Sequence, residues 1–172
     1  MTRSGMIAET VVGLSAGVLL ALSLAGCTTS SSPRPAVQLG APVSGEFGDS
    51  AQAAIEHPAL RDEVQALFAR DWEQPSAAAG PSRPAPQFFA NGSRPRAVRI
   101  DGQEYVGVVG CAAPGCTAGQ GLLLVTPDRS RLLARLDEGG FSHYYARGTG
   151  LQIDESTRAL LDAAWRATSA RS

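Results

Sequence analysis

Three cysteines are the residues of this chain best suited to covalent chemistry, and two of them stand close together. Cys111 and Cys116 enclose a loop that consists of Ala112, Ala113, Pro114 and Gly115. Adjacent Pro and Gly exclude regular structure and favour a tight turn. If the two sulfurs join, residues 111–116, which we call the Cys loop, become a small rigid turn between two apolar segments.

The spacing of the pair leaves three chemical interpretations open. A structural disulfide is the simplest for two cysteines in an oxidising compartment. A redox-active pair is disfavoured, because thioredoxin-type motifs place two residues between the cysteines at a helix N-terminus, whereas this loop has four between strands. A zinc site formed with His143 is conceivable, but the surroundings of His143 lack the ligand spacing of zinc sites. We expect the disulfide.

The third cysteine, Cys27, ends an N-terminal segment with the features of a secretion signal. The segment carries Arg3 and then an apolar stretch over residues 11–25 that is too short for a membrane-spanning helix. It closes on the letters LAGC, which resemble the lipobox of bacterial lipoproteins. We predict a signal peptide over residues 1–26 and a lipid on Cys27 that anchors the mature chain to a membrane. A plain cleaved signal that leaves Cys27 as a free thiol is the alternative.

Length and composition indicate one domain of ordinary size. The chain has 172 residues, of which 44% are hydrophobic, enough for a buried core. Residues 27–48 are rich in Ser, Pro and Gly, so we predict a flexible tether there and assign the domain to residues 49–172. A formal net charge of -1 gives no indication of a nucleic-acid partner.

The sequence of the domain predicts helices around an antiparallel sheet. Residues 49–72 have helical periodicity, with Asp49 or Ser50 as N-cap and with a kink or a second helix beginning at Pro58. Turn signals then separate strands, which we place at residues 97–100, 103–110, 122–126, 131–137 and 141–147. Residues 154–167 predict a closing helix capped by Asp154. The expected fold class is α+β, with a central antiparallel sheet of about five strands flanked by helices on both faces.

Side chains capable of catalysis form no pattern that predicts an enzyme. The sequence lacks a nucleophile elbow, a phosphate loop and a dinucleotide fingerprint. Glu104, Asp137 and Glu138 lie near strand ends, and we interpret them as solvated charges rather than an acid–base pair. We expect no catalytic residue, metal or cofactor. The Cys loop is then the best candidate site, because a rigid loop loses little entropy when it enters a partner's groove.

The order of elements around the Cys loop resembles that of the inhibitor of vertebrate lysozyme (Ivy) family. The similarity begins with the letters DGQEY at 101–105, the strand that follows and the Cys-x4-Cys loop. It continues through an apolar strand to the letters LDE at 136–138. The preceding helix with AAI and the closing helix after ID follow the same order, so the resemblance covers most of residues 50–167.

This resemblance implies an envelope protein, often a homodimer, whose disulfide-closed loop enters the active-site cleft of C-type lysozymes. It therefore implies that the four residues between Cys111 and Cys116 bind the partner. The family's loop reads Cys-Lys-Pro-His-Asp-Cys or something close, and its histidine contacts the lysozyme carboxylates. Here Pro114 and Gly115 occupy the positions of that histidine and aspartate, so neither side-chain donor is present.

Two functions stay open after the sequence analysis. The first is an envelope lipoprotein at the periplasmic face of the outer membrane that blocks C-type lysozyme or a related muramidase with the Cys loop. The second is a non-inhibitory relative whose loop binds another envelope protein, such as a lytic transglycosylase. The resemblance favours the first, and the missing donors at Pro114 and Gly115 favour the second. In both, the partners are a protein and, through Cys27, a membrane.

Overall fold

The structure is a computed structural model that describes residues 34–43, 45, 47–74 and 80–169. It contains one antiparallel sheet in which the six strands follow their order in the chain, so every strand pairs with the next. The strands are β1 Val37–Pro42, β2 Arg96–Ile100, β3 Gln103–Cys111, β4 Gln120–Val125, β5 Leu132–Glu138 and β6 Phe141–Arg147. The signal peptide and Cys27 lie outside the described residues.

Strand β1 corrects the predicted tether, which we had extended to residue 48. Val37 and Leu39 are half-buried and pair with Ile100 and Val98 of β2, so this part of the chain belongs to the sheet. A side chain on Gly40 would place its Cβ 2.9 Å from Ala97 Cβ, so the close approach of β1 to β2 favours glycine there. The sheet consequently has six strands where we expected five.

The helical segment before the sheet is divided, and Pro58 does not begin the second helix. Helix α1 spans Ala51–Ile55, and the Ser50 side chain caps it by accepting a hydrogen bond from Ala53 N–H. Helix α2 spans Arg61–Phe68 and continues into a 3-10 helix at Ala69–Trp72. His57 closes the turn between them, because its carbonyl accepts from the N–H groups of residues 60 and 61.

Two further helical segments complete the described part of the chain. A 3-10 helix at Ala85–Phe89 buries Phe88 and Phe89 completely, and it lies before the sheet's second strand. Helix α3 spans Glu155–Ser169, and Asp154 is its N-cap as predicted, accepting from Thr157 N–H at 2.8 Å. No helix in the described ranges is both long and apolar enough to cross a membrane.

Apolar side chains of the sheet join two separate clusters. Successive residues of β4 alternate between them, with Leu123 in the first and Leu122 in the second, because neighbouring side chains on a strand point to opposite faces. The first cluster includes buried residues of α1, α2 and both 3-10 helices. The second includes Leu161 and Ala164 of α3. The fold class is therefore α+β with an antiparallel sheet, as the sequence predicted.

Candidate functional site

The Cys loop lies between β3 and β4 at one end of the sheet. The sulfurs of Cys111 and Cys116 are at bonding distance and their Cα atoms are 4.5 Å apart, which confirms the predicted disulfide. Cys111 is the last residue of β3, and Gln120 opposite it is the first of β4. The loop is therefore a continuation of the central hairpin of the sheet.

Exposure changes sharply between the base and the tip of the loop. Ala112 is fully buried and Cys111 is 8% exposed. Ala113, Pro114 and Cys116 are exposed, and Gly115 is half-buried. The four residues predicted to bind a partner thus divide into one buried anchor, Ala112, and a protruding tip of three.

Backbone hydrogen bonds fix the base of the loop independently of the sulfurs. Ala112 N–H donates to Gly119 O at 2.8 Å, and Ala118 N–H donates to Gly115 O at 2.9 Å. On the other side of β3, Asn91 and Cys111 exchange two backbone hydrogen bonds in an isolated antiparallel bridge. The base is consequently held from both neighbours, and only the tip lacks a regular ladder partner.

Two buried phenylalanines form the floor below the loop. A Cβ on Gly110 would lie 2.5 Å from Phe89 Cα, and a Cβ on Gly121 would lie 2.7 Å from the Phe89 ring. Phe88 likewise stands 2.9 Å from where a Cβ on Gly119 would be. Glycines in β3 and β4 and just before β4 therefore allow the 3-10 helix to approach the sheet closely enough to support the loop.

An ion pair beside the loop connects this floor to the sheet. Glu138, at the end of β5, accepts from Ser82 N–H at 2.8 Å and from Arg83 Nε at 2.5 Å. The Arg83 guanidinium also stands over the Phe88 ring, 5.8 Å from its centroid. Burial alone would raise the pKa of Glu138, but the bonds from Ser82 and Arg83 outweigh it and hold that pKa below its ordinary value.

Glu138 and Asp137 are not the solvated charges that we expected from the sequence. Both are half-buried, and Asp137 receives two hydrogen bonds from Arg135, of 2.8 and 2.7 Å. Arg135 also donates to Asp162 of α3 at 2.7 Å and lies 4.6 Å from the centroid of the Trp165 ring. This network attaches the closing helix to β5.

The network also shifts the pKa values of Arg135 and Tyr144. Burial alone would lower the pKa of Arg135, but the hydrogen bond and charge of Asp137 hold that pKa above its ordinary value. Burial, and the hydrogen bond that Tyr144 donates to Asp162 at 2.7 Å, raise the pKa of Tyr144. All four groups are engaged with one another, so the network is structural in the free chain.

The other residues that the sequence analysis considered do not contribute to the Cys loop as a site. Either they lie far from it or they cannot form the zinc site that was considered. Glu104 is exposed at the opposite end of β3, where it pairs with Arg99. The two cysteines that a zinc site with His143 would need are joined to each other. Among the described residues, no group of three or more His, Cys, Asp or Glu side chains could hold a metal ion.

The site therefore presents a neutral, covalently closed turn on a fixed base. Its exposed tip offers apolar contact from Ala113 and Pro114, and the charged side chains beside it, Arg83 and Glu138, neutralise each other. Such a surface can dock into a cleft by shape. No model of a known protein family matches the chain, and neither curated proteins nor solved structures gave a match.

Proposed function

We propose that this chain is a non-enzymatic, lipid-anchored binding protein of the bacterial cell envelope, which blocks C-type lysozyme or a related muramidase by inserting the Cys loop into its active-site cleft. The observation that carries the proposal is a disulfide-closed tip that is exposed while its base is buried and hydrogen-bonded. The choice of a muramidase as the partner rests on the resemblance of the sequence to the Ivy family.

Rigidity is the physical reason that this loop suits insertion. A free loop would have to be ordered on binding, at a cost of about 1–2 kcal/mol per backbone residue. The disulfide and the bond from Ala112 to Gly119 order the tip before the partner arrives. More of the contact energy therefore remains available for affinity.

The tip lacks a side-chain donor for the carboxylates of a muramidase cleft. Pro114 has no N–H at all, and Gly115 has no side chain. A hydrogen bond to a charged group contributes about 1.5–3 kcal/mol, so its absence weakens inhibition by roughly 10- to 100-fold relative to a loop that has the donor. We expect inhibition of modest potency.

The same missing donors favour the second candidate, a non-inhibitory relative of the Ivy family. In that case the loop binds another envelope protein, such as a lytic transglycosylase, through apolar contact. Both candidates share the remaining proposals, namely helices over both faces of the sheet, a lipid on Cys27, a place at the periplasmic face of the outer membrane and a homodimer. Replacement of Cys27 by Ser should abolish lipid labelling and release the chain from the membrane fraction.

Inhibition of cell-wall lysis by a C-type lysozyme tests the first candidate, with Pro114→Asp and Pro114→Asn as a matched pair. The two side chains are nearly the same size, but only Asp brings a negative charge towards the cleft carboxylates. We expect Pro114→Asp to inhibit at least about 10-fold more weakly than Pro114→Asn, because like charges repel strongly where water is excluded. Absence of inhibition by the unmodified chain at micromolar concentration would exclude lysozyme as the partner.

A further inference from the structure

The end of the sheet that carries the Cys loop also carries an exposed aromatic side chain. Phe141, the first residue of β6, is 73% exposed and is the single large apolar side chain exposed in the described ranges. Every other phenylalanine whose burial is described is buried. Placing a phenyl ring in water forgoes burial of a large apolar surface, so its position relative to the candidate site is informative.

The strand register places Phe141 at the same end of the sheet as the loop. Cys111 pairs with Gln120, Gln120 with Asp137, and Asp137 with Ser142, the neighbour of Phe141. Three strand spacings separate β3 from β6, so the ring begins roughly 14 Å from the foot of the loop. Both features belong to the rim of one sheet.

The turn before Phe141 fixes the backbone that carries the ring. Gly139 and Gly140 connect β5 to β6, with φ angles of 59° and 85°. Two successive positive φ angles are typical of the tight type I′ turn, which matches the twist of the strands it joins. Glu138, which pairs with Phe141 across this turn, is itself fixed by Arg83. Phe141 is therefore presented on a defined backbone.

A stable protein interface requires more surface than the loop provides. A specific interface uses roughly 20–30 residues and about 800 Å² on each partner, which corresponds to a patch roughly 32 Å across. The loop contributes few of those residues, and a patch of that width centred near the loop includes Phe141. Aromatic side chains are among the residues that most often dominate binding energy.

On the basis of the function proposed above, we infer that Phe141 is a second anchor for the muramidase that the Cys loop enters, and that it packs into an apolar depression on the lip of the cleft. The charged groups beside the loop, Arg83 and Glu138, are paired with each other, and Glu138 lies opposite Phe141. Contact across this neutral strip depends on shape, so the affinity changes little with salt.

Affinity of the purified chain for a C-type lysozyme, measured by calorimetry at low and physiological salt, tests this inference. Phe141→Ser should weaken binding roughly 10- to 30-fold, whereas Phe141→Leu should retain most of the affinity. Gln103→Ala, an exposed change at the far end of β3, is the control and should bind like the unmodified chain. Thermal unfolding of each variant verifies that the fold is intact.

The outcomes separate this inference from the proposed function. Equal affinity of Phe141→Ser and the unmodified chain overturns the second anchor and leaves the function standing. Loss of affinity in Phe141→Ser, without any loss when both loop cysteines are replaced by serine, supports the anchor and overturns rigidity of the loop as the source of affinity. No binding of the unmodified chain at about 100 μM overturns both.

Discussion

Removal of the disulfide in the Cys loop should lower the free energy of unfolding moderately and leave the fold intact. The disulfide closes six residues, and the chain-entropy relation assigns such a ring about 2 kcal/mol. For a domain of this size, a Cys111→Ser and Cys116→Ser double variant should unfold roughly 4–10 °C lower. The sheet should persist, because the bonds from Ala112 to Gly119 and from Cys111 to Asn91 join backbone atoms.

The affinity of this double variant for lysozyme should fall strongly, in addition to its loss of stability. Without the disulfide, the exposed tip at Ala113 and Pro114 has lost its covalent closure and must be ordered by the partner. Two residues that regain backbone freedom cost about 2–4 kcal/mol on binding, which is a loss of affinity of roughly 30- to 1000-fold. The stability and binding effects are separable, since the first acts on the unfolded chain and the second on the free folded chain.

Calorimetric titration into a C-type lysozyme, with far-ultraviolet circular dichroism of the same samples, measures both effects. Gln103→Ala is the control, because it keeps the ring and changes an exposed side chain at the far end of β3. If the double variant folds and binds within about twofold of the unmodified chain, rigidity of the loop is not the source of affinity.

Three further changes test the scaffold that carries the loop. Gly110→Ala should lower the free energy of unfolding in urea by about 3 kcal/mol, because its Cβ would meet the Phe89 backbone at 2.5 Å. Gly115→Ala, whose Cβ would meet no atom within 4 Å, is the control for stability, and an equal effect of the two changes would refute the close approach. Arg135→Met should lower it by about 2–3 kcal/mol, through loss of the bonds to β5 and α3, and an unchanged urea midpoint would contradict that role. Because the folded pKa of Glu138 is lowered, its stabilisation is complete above the ordinary pKa of 4.5 and is lost as pH falls through the folded value. Glu138→Gln should therefore flatten the acid side of the stability–pH curve, and an unaltered curve would show that the carboxylate contributes nothing there.

Local signals were sufficient for most of the sheet and for the start of the closing helix, which continues two residues beyond its predicted end. The strand predicted over residues 141–147 has those bounds in the structure, because glycine turns and alternating residues mark it on both sides. The Asp-Gly turn at 101–102 likewise placed β2 and β3 correctly. The disulfide was predicted from the spacing of the cysteines and from an expected oxidising compartment, and the pair lies at bonding distance.

Features that depend on partners distant in sequence were not predictable. The sequence of β1 is typical of a tether, because Gly40 and Pro42 interrupt its apolar residues. Its partner strand β2 comes more than fifty residues later, so no local signal indicates the pairing. Arg135 is followed two residues later by Asp137, a spacing that an exposed strand also shows. Its role emerges from Asp162, which lies 27 residues away on α3. The aromatic floor under the loop also depends on distant partners, because Phe88 and Phe89 pack against glycines that lie more than twenty residues later in the chain.

Competition for the lysozyme cleft tests the central claim most directly. A complex of the purified chain with a C-type lysozyme is titrated with a chitin oligosaccharide that fills the substrate cleft. If the Cys loop occupies that cleft, the apparent affinity of the chain must fall in proportion to the cleft occupancy of the oligosaccharide. Affinity that is unaffected by a saturated cleft would contradict insertion of the loop.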